Sequence, residues 1–271
     1  MDYEAANKTL QDIAREAGAF MLGSDEREST DKTNVKDFVT VADIKSQNII
    51  RGRLNAAFPG VAVLSEEDPE EARAQLFEPT FTGFVLDPID GTYNFKRDMR
   101  ESAISIGYIE GGRIKAGVIF DPYKNELFTV TEGKGAFRNG QPIHVSGQDG
   151  LAGASIATSN SYDDEPMVRN LNRHLAIYEQ TGIMPWMVVP GSGVLLMANI
   201  ACGRIDVYHH NGLKPWDNAV AFLLIREAGG KVLTLKGEEA AFTSATILGG
   251  TPAVVDALDE VFKKIDQTLL D

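Results

Sequence analysis

The apolar tripeptide Phe84-Val85-Leu86 runs without a break into Asp87-Pro88-Ile89-Asp90-Gly91-Thr92. A short apolar run that stops at turn residues reads as a buried strand. Carboxylates at a strand end stand where open α/β sheets collect ligands. Pro88 fixes the turn and Gly91 lets the backbone fold back, so Asp87, Asp90 and the Ile89 carbonyl can meet at one point. The same residue types also make ordinary surface turns. An ordinary turn, however, does not require so apolar a run in front of it.

Two further acidic groups sit beside apolar runs. Ser65-Glu66-Glu67-Asp68 follows Val61 to Leu64, and Trp216-Asp217 stands at the entrance to an apolar helix. Read singly, the first is also a solvated loop and Asp217 also a helix N-cap. Together they are hard oxygen donors with no Cys or His beside them, a set that favours magnesium or manganese over zinc.

The 271 residues suit one large domain or two closely packed subdomains. No apolar run approaches the roughly 20 residues of a membrane span. Asp2 and Glu4 stand where a secretory signal would be basic, so a cytoplasmic location is expected. A single cysteine, Cys202, excludes an internal disulfide and Cys-rich metal sites, and its place in an apolar helix reads as inert core. The net charge of −13 argues against broad nucleic-acid binding. A chain so acidic needs bound cations to handle small anions.

Helical spacing predicts a helix over residues 1–22, a second over Ala42 to Phe58, one over Val194 to Cys202 with Ser192 near its start, one from Asp217 to Gly229-Gly230, and a last over Thr251 to Leu270. Asp25 to Lys36 is polar, with Val35 its only apolar residue, and reads as a loop or mobile arm. Ser102 to Tyr108, Ile114 to Phe120 and Glu126 to Thr131 form an antiparallel meander, followed by an Asn139-Gly140 hairpin signal. Further strands are expected at Ser155 to Ala157, Trp186 to Val189, Ile205 to His209 and Lys231 to Leu235. The Gly- and Ser-rich stretch 146–153 divides an N-terminal α+β subdomain, 1–145, from a C-terminal α/β subdomain, 146–271.

Asp87 to Phe95 (DPIDGTYNF) and Trp216 to Gly230 (WDNAVAFLLIREAGG) resemble the two signature motifs of the inositol monophosphatase family of magnesium-dependent phosphatases. Thr40-Val41-Ala42-Asp43 and Glu66-Glu67 stand where that family has its remaining acidic motifs. The resemblance spans roughly Lys32 to Gly250. It implies a layered αβαβα sandwich of the sugar-phosphatase type, a homodimer, and two or three magnesium ions, with manganese as a substitute. It implies that Glu66, Asp87 and the Ile89 carbonyl hold one ion and that Asp87, Asp90 and Asp217 hold a second. Asp43 and Glu66 would reach a third. Thr92 with Glu66 would position the attacking water, and the Gly91 and Thr92 amides would hold phosphate oxygens. Lys32 matches a mobile basic residue, and Gly191, Ser192 and Gly193 match one wall of the pocket.

Inositol-specific members carry a carboxylate where this chain has His210, a residue that can donate as well as accept. His209 and His210 also read as an exposed strand end. Tyr93 replaces a second threonine, and Gln47 stands where many members have Glu. The expectation is hydrolysis of a small phosphorylated polyol or sugar, by default inositol 1-phosphate. Fructose 1,6-bisphosphate, histidinol phosphate or a nucleotide 3′-phosphate are the alternatives. A metal-dependent binding protein with vestigial activity is the reading from another class.

Overall fold

Asp2 accepts hydrogen bonds from the amides of Glu4 and Ala5 and so starts α1 (Tyr3–Gly23). Leu10, Ile13, Ala14, Ala17 and Met21 of α1 are buried on one stripe, as their spacing predicts. The computed structural model describes residues 1–189, 191–265 and 267.

The segment expected to be a loop or mobile arm is instead an antiparallel ribbon of β1 (Ser29–Asn34) and β2 (Asp37–Thr40). Its strands are mostly exposed, so no apolar alternation marks them in the sequence. Thr40 then caps α2 (Val41–Ala57): its side chain accepts from the Asp43 amide, and the Asp43 carboxylate accepts from the Thr40 amide at 2.8 Å.

β3 (Ala62–Ser65) leads through the short α3 (Glu70–Arg73) to β4 (Gly83–Asp90). β4 does not stop at Asp87 as the sequence suggests. It continues to Asp90 with a shift of register between Asp87 and Asp90, where Pro88 cannot donate to the ladder. After α4 (Thr92–Lys96), the expected meander follows as β5 (Ala103–Glu110), β6 (Arg113–Asp121) and β7 (Glu126–Thr131), extended by β8 (Ala136–Arg138) and β9 (Gln141–Pro142). These seven strands form one sheet in chain order, parallel only between β3 and β4.

The second sheet has five strands. β10 (Ser155–Ala157) is followed by α5 (Asp164–Thr181), β11 (Trp186–Val188), α6 (Gly193–Ala201), β12 (Val207–Asn211), α7 (Pro215–Glu227), β13 (Lys231–Leu233), β14 (Thr246–Gly250) and α8 (Pro252–Phe262). The spatial order is β11-β10-β12-β14-β13. β12 lies two residues later than the sequence suggests, and β14 and α5 carry no pattern that singled them out. The last helix was expected to reach Leu270; residues 266 and 268–270 lie outside the described ones.

α1 and α2 cover the outer face of the seven-stranded sheet, α6 and α7 lie between the sheets, and α5 and α8 cover the outer face of the five-stranded sheet. The result is an αβαβα sandwich. Val85, Ile119 and Phe128 from one sheet share a core cluster with Tyr208 and Ile247 from the other, through α6 and α7. A Cβ at Gly117 would lie 2.7 Å from a Val220 methyl, so the bare backbone there lets α7 seat on the first sheet. Burial of a side chain such as Phe222 is worth roughly 1.5–3 kcal/mol. Among the described residues, no helix is long and apolar enough to cross a membrane.

Candidate active site

Three segments deliver carboxylates to one place. The buried Asp87 sits at the register shift of β4, and its Oδ1 accepts from the Ile89 amide at 3.0 Å. Ser46 donates to the Pro88 carbonyl at 3.0 Å and pins the bulge to α2. Asp90, at the end of β4, accepts from the Val194 amide at 3.0 Å and from the Ser192 hydroxyl. A carboxylate at the start of α6 is favoured by the orphan amides and dipole there. Asp217 is not the N-cap of its helix. It is the third residue of α7, and its Oδ2 accepts from the Lys214 amide at 2.9 Å. One carboxylate oxygen from each of Asp87, Asp90 and Asp217 lies within 4.8 Å of the others.

Glu66 reaches the same cavity from the end of β3. Its amide donates to the Leu86 carbonyl at 3.2 Å, and its carbonyl accepts from Arg73 at 3.1 Å. The Arg73 guanidinium stacks 5.0 Å from the Trp216 ring centroid, which ties this loop to α7. Lys32, expected on a mobile arm, projects from β1 and pairs with Glu66 at 3.0 Å and with Glu67 at 2.8 Å.

Gly91 adopts φ +85°, and a Cβ there would lie 3.0 Å from the Glu101 carbonyl, so glycine is required for the turn into α4. The next residue, Thr92, is buried. Its hydroxyl lies 3.2 Å from Asp43 Oδ1 and 3.2 Å from the Ile89 carbonyl. The carboxylate hydrogen-bonded to Thr92 is Asp43, brought in by the first turn of α2.

These groups face a cavity of about 480 Å³. Lys32, Glu66, Asp87, Asp90, Asp217 and Thr92 line its charged end. Gly91, Gly191, Gly193, Tyr93, Lys214 and His210 are among its other lining residues, while Asp43, Ile89 and Ser192 hydrogen-bond to that lining. Ser192 thus reads first as the N-cap of α6 and a support for Asp90.

The crowding of like charges is visible in the protonation of the site. Burial, then Glu66, Asp90 and Asp217, push the Asp87 carboxyl well above the usual carboxylate range. Burial, then Asp90 and Glu66, do the same to Asp217. Burial raises Asp90 to about 6 against the hydrogen bonds from Ser192 and Val194. Asp43 also rises to about 6 through burial, against its Thr40 bonds. Burial and Glu66 lift Glu67 to about 8 despite Lys32. Burial works against the charge on Lys32, but Glu66 and Glu67 hold its ammonium above the usual range. These crowded carboxylates form a set of all-oxygen donors whose chemistry fits magnesium or manganese.

The far wall is different. His209 and His210 are not an exposed strand end; they are 0% and 3% exposed on the central strand β12. Ser159, Ser161 and Asn170 surround the His210 ring. The sequence reading missed Asn170, Arg173 and both serines. The one available signal was polar residues on the otherwise inward stripe of α5. Cys202, expected in the core, is only partly buried, at the C-cap of α6.

The profile of the inositol monophosphatase family matches residues 1–267. The Nus factor SuhB of Pseudomonas aeruginosa is 32% identical over 253 residues, spanning 90% of this chain and 91% of that relative. The Nus factor SuhB of Escherichia coli strain K12 is 32% identical over 256 residues, 90% of this chain and 91% of that one. The solved extragenic suppressor protein suhB of Bartonella henselae superposes with a TM-score of 0.85 at 29% identity, covering 96% of this chain and 99% of that one. The inositol monophosphatase of Anabaena superposes with a TM-score of 0.81 at 26% identity, covering 98% and 97%.

Proposed function

The chain belongs to the inositol monophosphatase family, and from that premise we propose that it is a magnesium-dependent phosphomonoesterase acting on a small phosphorylated polyol or sugar. Inositol 1-phosphate is the default substrate. The observation that carries this reading is the convergence of Asp87, Asp90 and Asp217 within 4.8 Å, beside a Thr92 hydroxyl bonded to Asp43.

Glu66, Asp87, the Ile89 carbonyl, Asp90 and Asp217 are the groups that would hold magnesium, with Asp43 and Glu66 in reach of a further ion. When bound, magnesium supplies charge at the phosphoryl oxygens and lowers the pKa of water. Thr92 donates its proton to Asp43 or the Ile89 carbonyl, which leaves its oxygen lone pairs to accept from a water and aim it. The Gly91 and Thr92 amides hold phosphate oxygens at the turn into α4. Lys32 adds a cation at the mouth. No side chain becomes phosphorylated.

Phosphate release from a panel of esters, with and without magnesium, tests this. Release confined to magnesium-containing samples supports the reading. If inositol 1-phosphate is among the poorest substrates, the default gives way to fructose 1,6-bisphosphate, histidinol phosphate or a nucleotide 3′-phosphate.

The Nus factor names of the relatives favour a second reading, in which the chain acts by binding a partner. Failure to release phosphate from any ester would select it. A homodimer and a division into subdomains 1–145 and 146–271 belong to the proposal as well. The dimer is supported by the exposed stripe Val168, Leu171, Leu175 and Tyr178 on α5 and by the exposed Trp186 of edge strand β11. Leu175→Asp should shift the sedimenting species toward monomer; an unchanged sedimentation profile would move the interface elsewhere.

A further inference from the structure

Hydrogen bonds around His210 assign its protons. Arg173, fully buried on α5, donates through Nη2 to Asn170 Oδ1. The Asn211 amide donates to the same oxygen at 3.2 Å. Neither group can accept, so that atom is the amide oxygen and the other end of Asn170 is its NH₂. This NH₂ lies 2.9 Å from His210 Nδ1, which must therefore accept. Ser159 Oγ, 3.4 Å from the same Nδ1, is free to donate to it, because Tyr208 can supply its own proton to Ser159 across 2.6 Å.

His210 is 3% exposed, and burial, then the Arg173 charge, drive its pKa down to about 3, so the ring is neutral. A neutral imidazole that accepts at Nδ1 carries its hydrogen on Nε2. Ser161 Oγ lies 3.4 Å from Nε2 and donates its own proton to the Asn211 carbonyl at 3.3 Å, so it can only accept from Nε2. That contact is long and weak. The polar atom His210 has left to offer the cavity is thus an N–H. Lys214 lines the same cavity, and its charge also acts on Asp217.

We infer that His210 is a specificity-determining hydrogen-bond donor, held in that tautomer by Asn170 and Arg173 as positioning residues. The site then selects a leaving group that presents an acceptor oxygen there, a carboxylate or a second phosphate in preference to an amine. This rests on the phosphatase reading and narrows it. A carboxylate at this position would accept from a ring hydroxyl; the His210 wall asks the opposite of its ligand.

The test uses the full chain labelled with ¹⁵N-histidine, with the His210 signals identified by their loss in His210→Gln. At neutral pH the Nε2 signal should be that of a protonated nitrogen and the Nδ1 signal that of a bare one; the reverse overturns the inference. Asn170→Asp keeps the shape but accepts from both Arg173 and the ring, which should transfer the hydrogen to Nδ1. The KM for fructose 1,6-bisphosphate should then rise about tenfold while kcat changes by less than about twofold. An unmoved tautomer together with an unmoved KM overturns the proposal. Titration with fructose 1,6-bisphosphate should shift the Nε2 signal more than fructose 1-phosphate or ethanolamine phosphate does, and equal shifts count against it. This readout needs no turnover. A chain that releases no phosphate but shows the shift loses the phosphatase reading and keeps the donor assignment.

Discussion

The two walls of the cavity hold buried polar groups in opposite ways. On one, Asp87, Asp90 and Asp217 are pressed within 4.8 Å of one another, and the hydrogen bonds they accept do not offset their burial and mutual repulsion. On the other, His210, Asn170, Ser159 and Ser161 each find a partner, and the ring stays neutral. The first wall gathers donors that could hold a cation. The second surrounds its ring with polar partners and leaves one N–H only weakly engaged, by Ser161 at 3.4 Å. On the proposed function, the chemistry falls to the wall that is electrostatically unsatisfied and selectivity to the wall built around a neutral ring.

The largest expected effect comes from breaking the acidic wall. Asp87→Asn or Asp217→Asn should lower turnover by about 10³-fold or more, because each removes a ligand for the charge that stabilises the transferring phosphoryl group. The variants should melt no earlier than wild type without metal, since a repelling charge has gone. Wild-type turnover in both would remove the acidic wall from the mechanism.

Ser192→Ala should act more mildly. It removes a hydrogen bond to Asp90 without removing a ligand, and loss of such a support costs about 10- to 100-fold in metal affinity or activity. Titration calorimetry with magnesium measures it, and an unchanged affinity would mean that Val194 alone orients Asp90.

Magnesium at 100 times its dissociation constant should stabilise the chain by about 2.7 kcal/mol. For a domain of this size that is a rise of roughly 5–10 °C in melting temperature. A melting curve that ignores saturating magnesium contradicts a preformed site.

The smallest effect separates the walls by pH. Asp43 and Asp90 have folded pKa values near 6, raised above the unfolded carboxylate, so their contribution to stability is present at low pH and lost as pH rises through about 6. His210 and His174 are lowered to about 3 and about 4, so theirs is present above the unfolded value of 6.5 and lost as pH falls toward those values. In chelator, the two trends oppose between about pH 4 and 6. Asp90→Asn should therefore melt more steeply with acid than wild type, and His210→Gln less steeply. Parallel pH profiles for all three proteins would deny the contrast.

The acidic wall was legible in the sequence and the neutral wall was not. Asp87, Asp90 and Asp217 stand beside apolar runs that mark strand and helix ends, and chemistry at element ends leaves a local pattern. The partnership of Thr92 with Asp43 joins residues 49 positions apart, and nothing local encodes it. Asn170, Arg173 and His210 meet only because α5 packs across β12, and α5 itself was not singled out. The β1–β2 ribbon was hidden because both faces of its strands are largely wet, so alternation never developed. Pro88 suggested an end to β4 where the strand absorbs it as a bulge.

The most direct measurement is the initial rate of phosphate release from inositol 1-phosphate and fructose 1,6-bisphosphate by the purified chain, first in chelator and then with magnesium restored. The account predicts negligible release in chelator and full recovery with magnesium. Equal rates in both conditions, or no release in either, would contradict it.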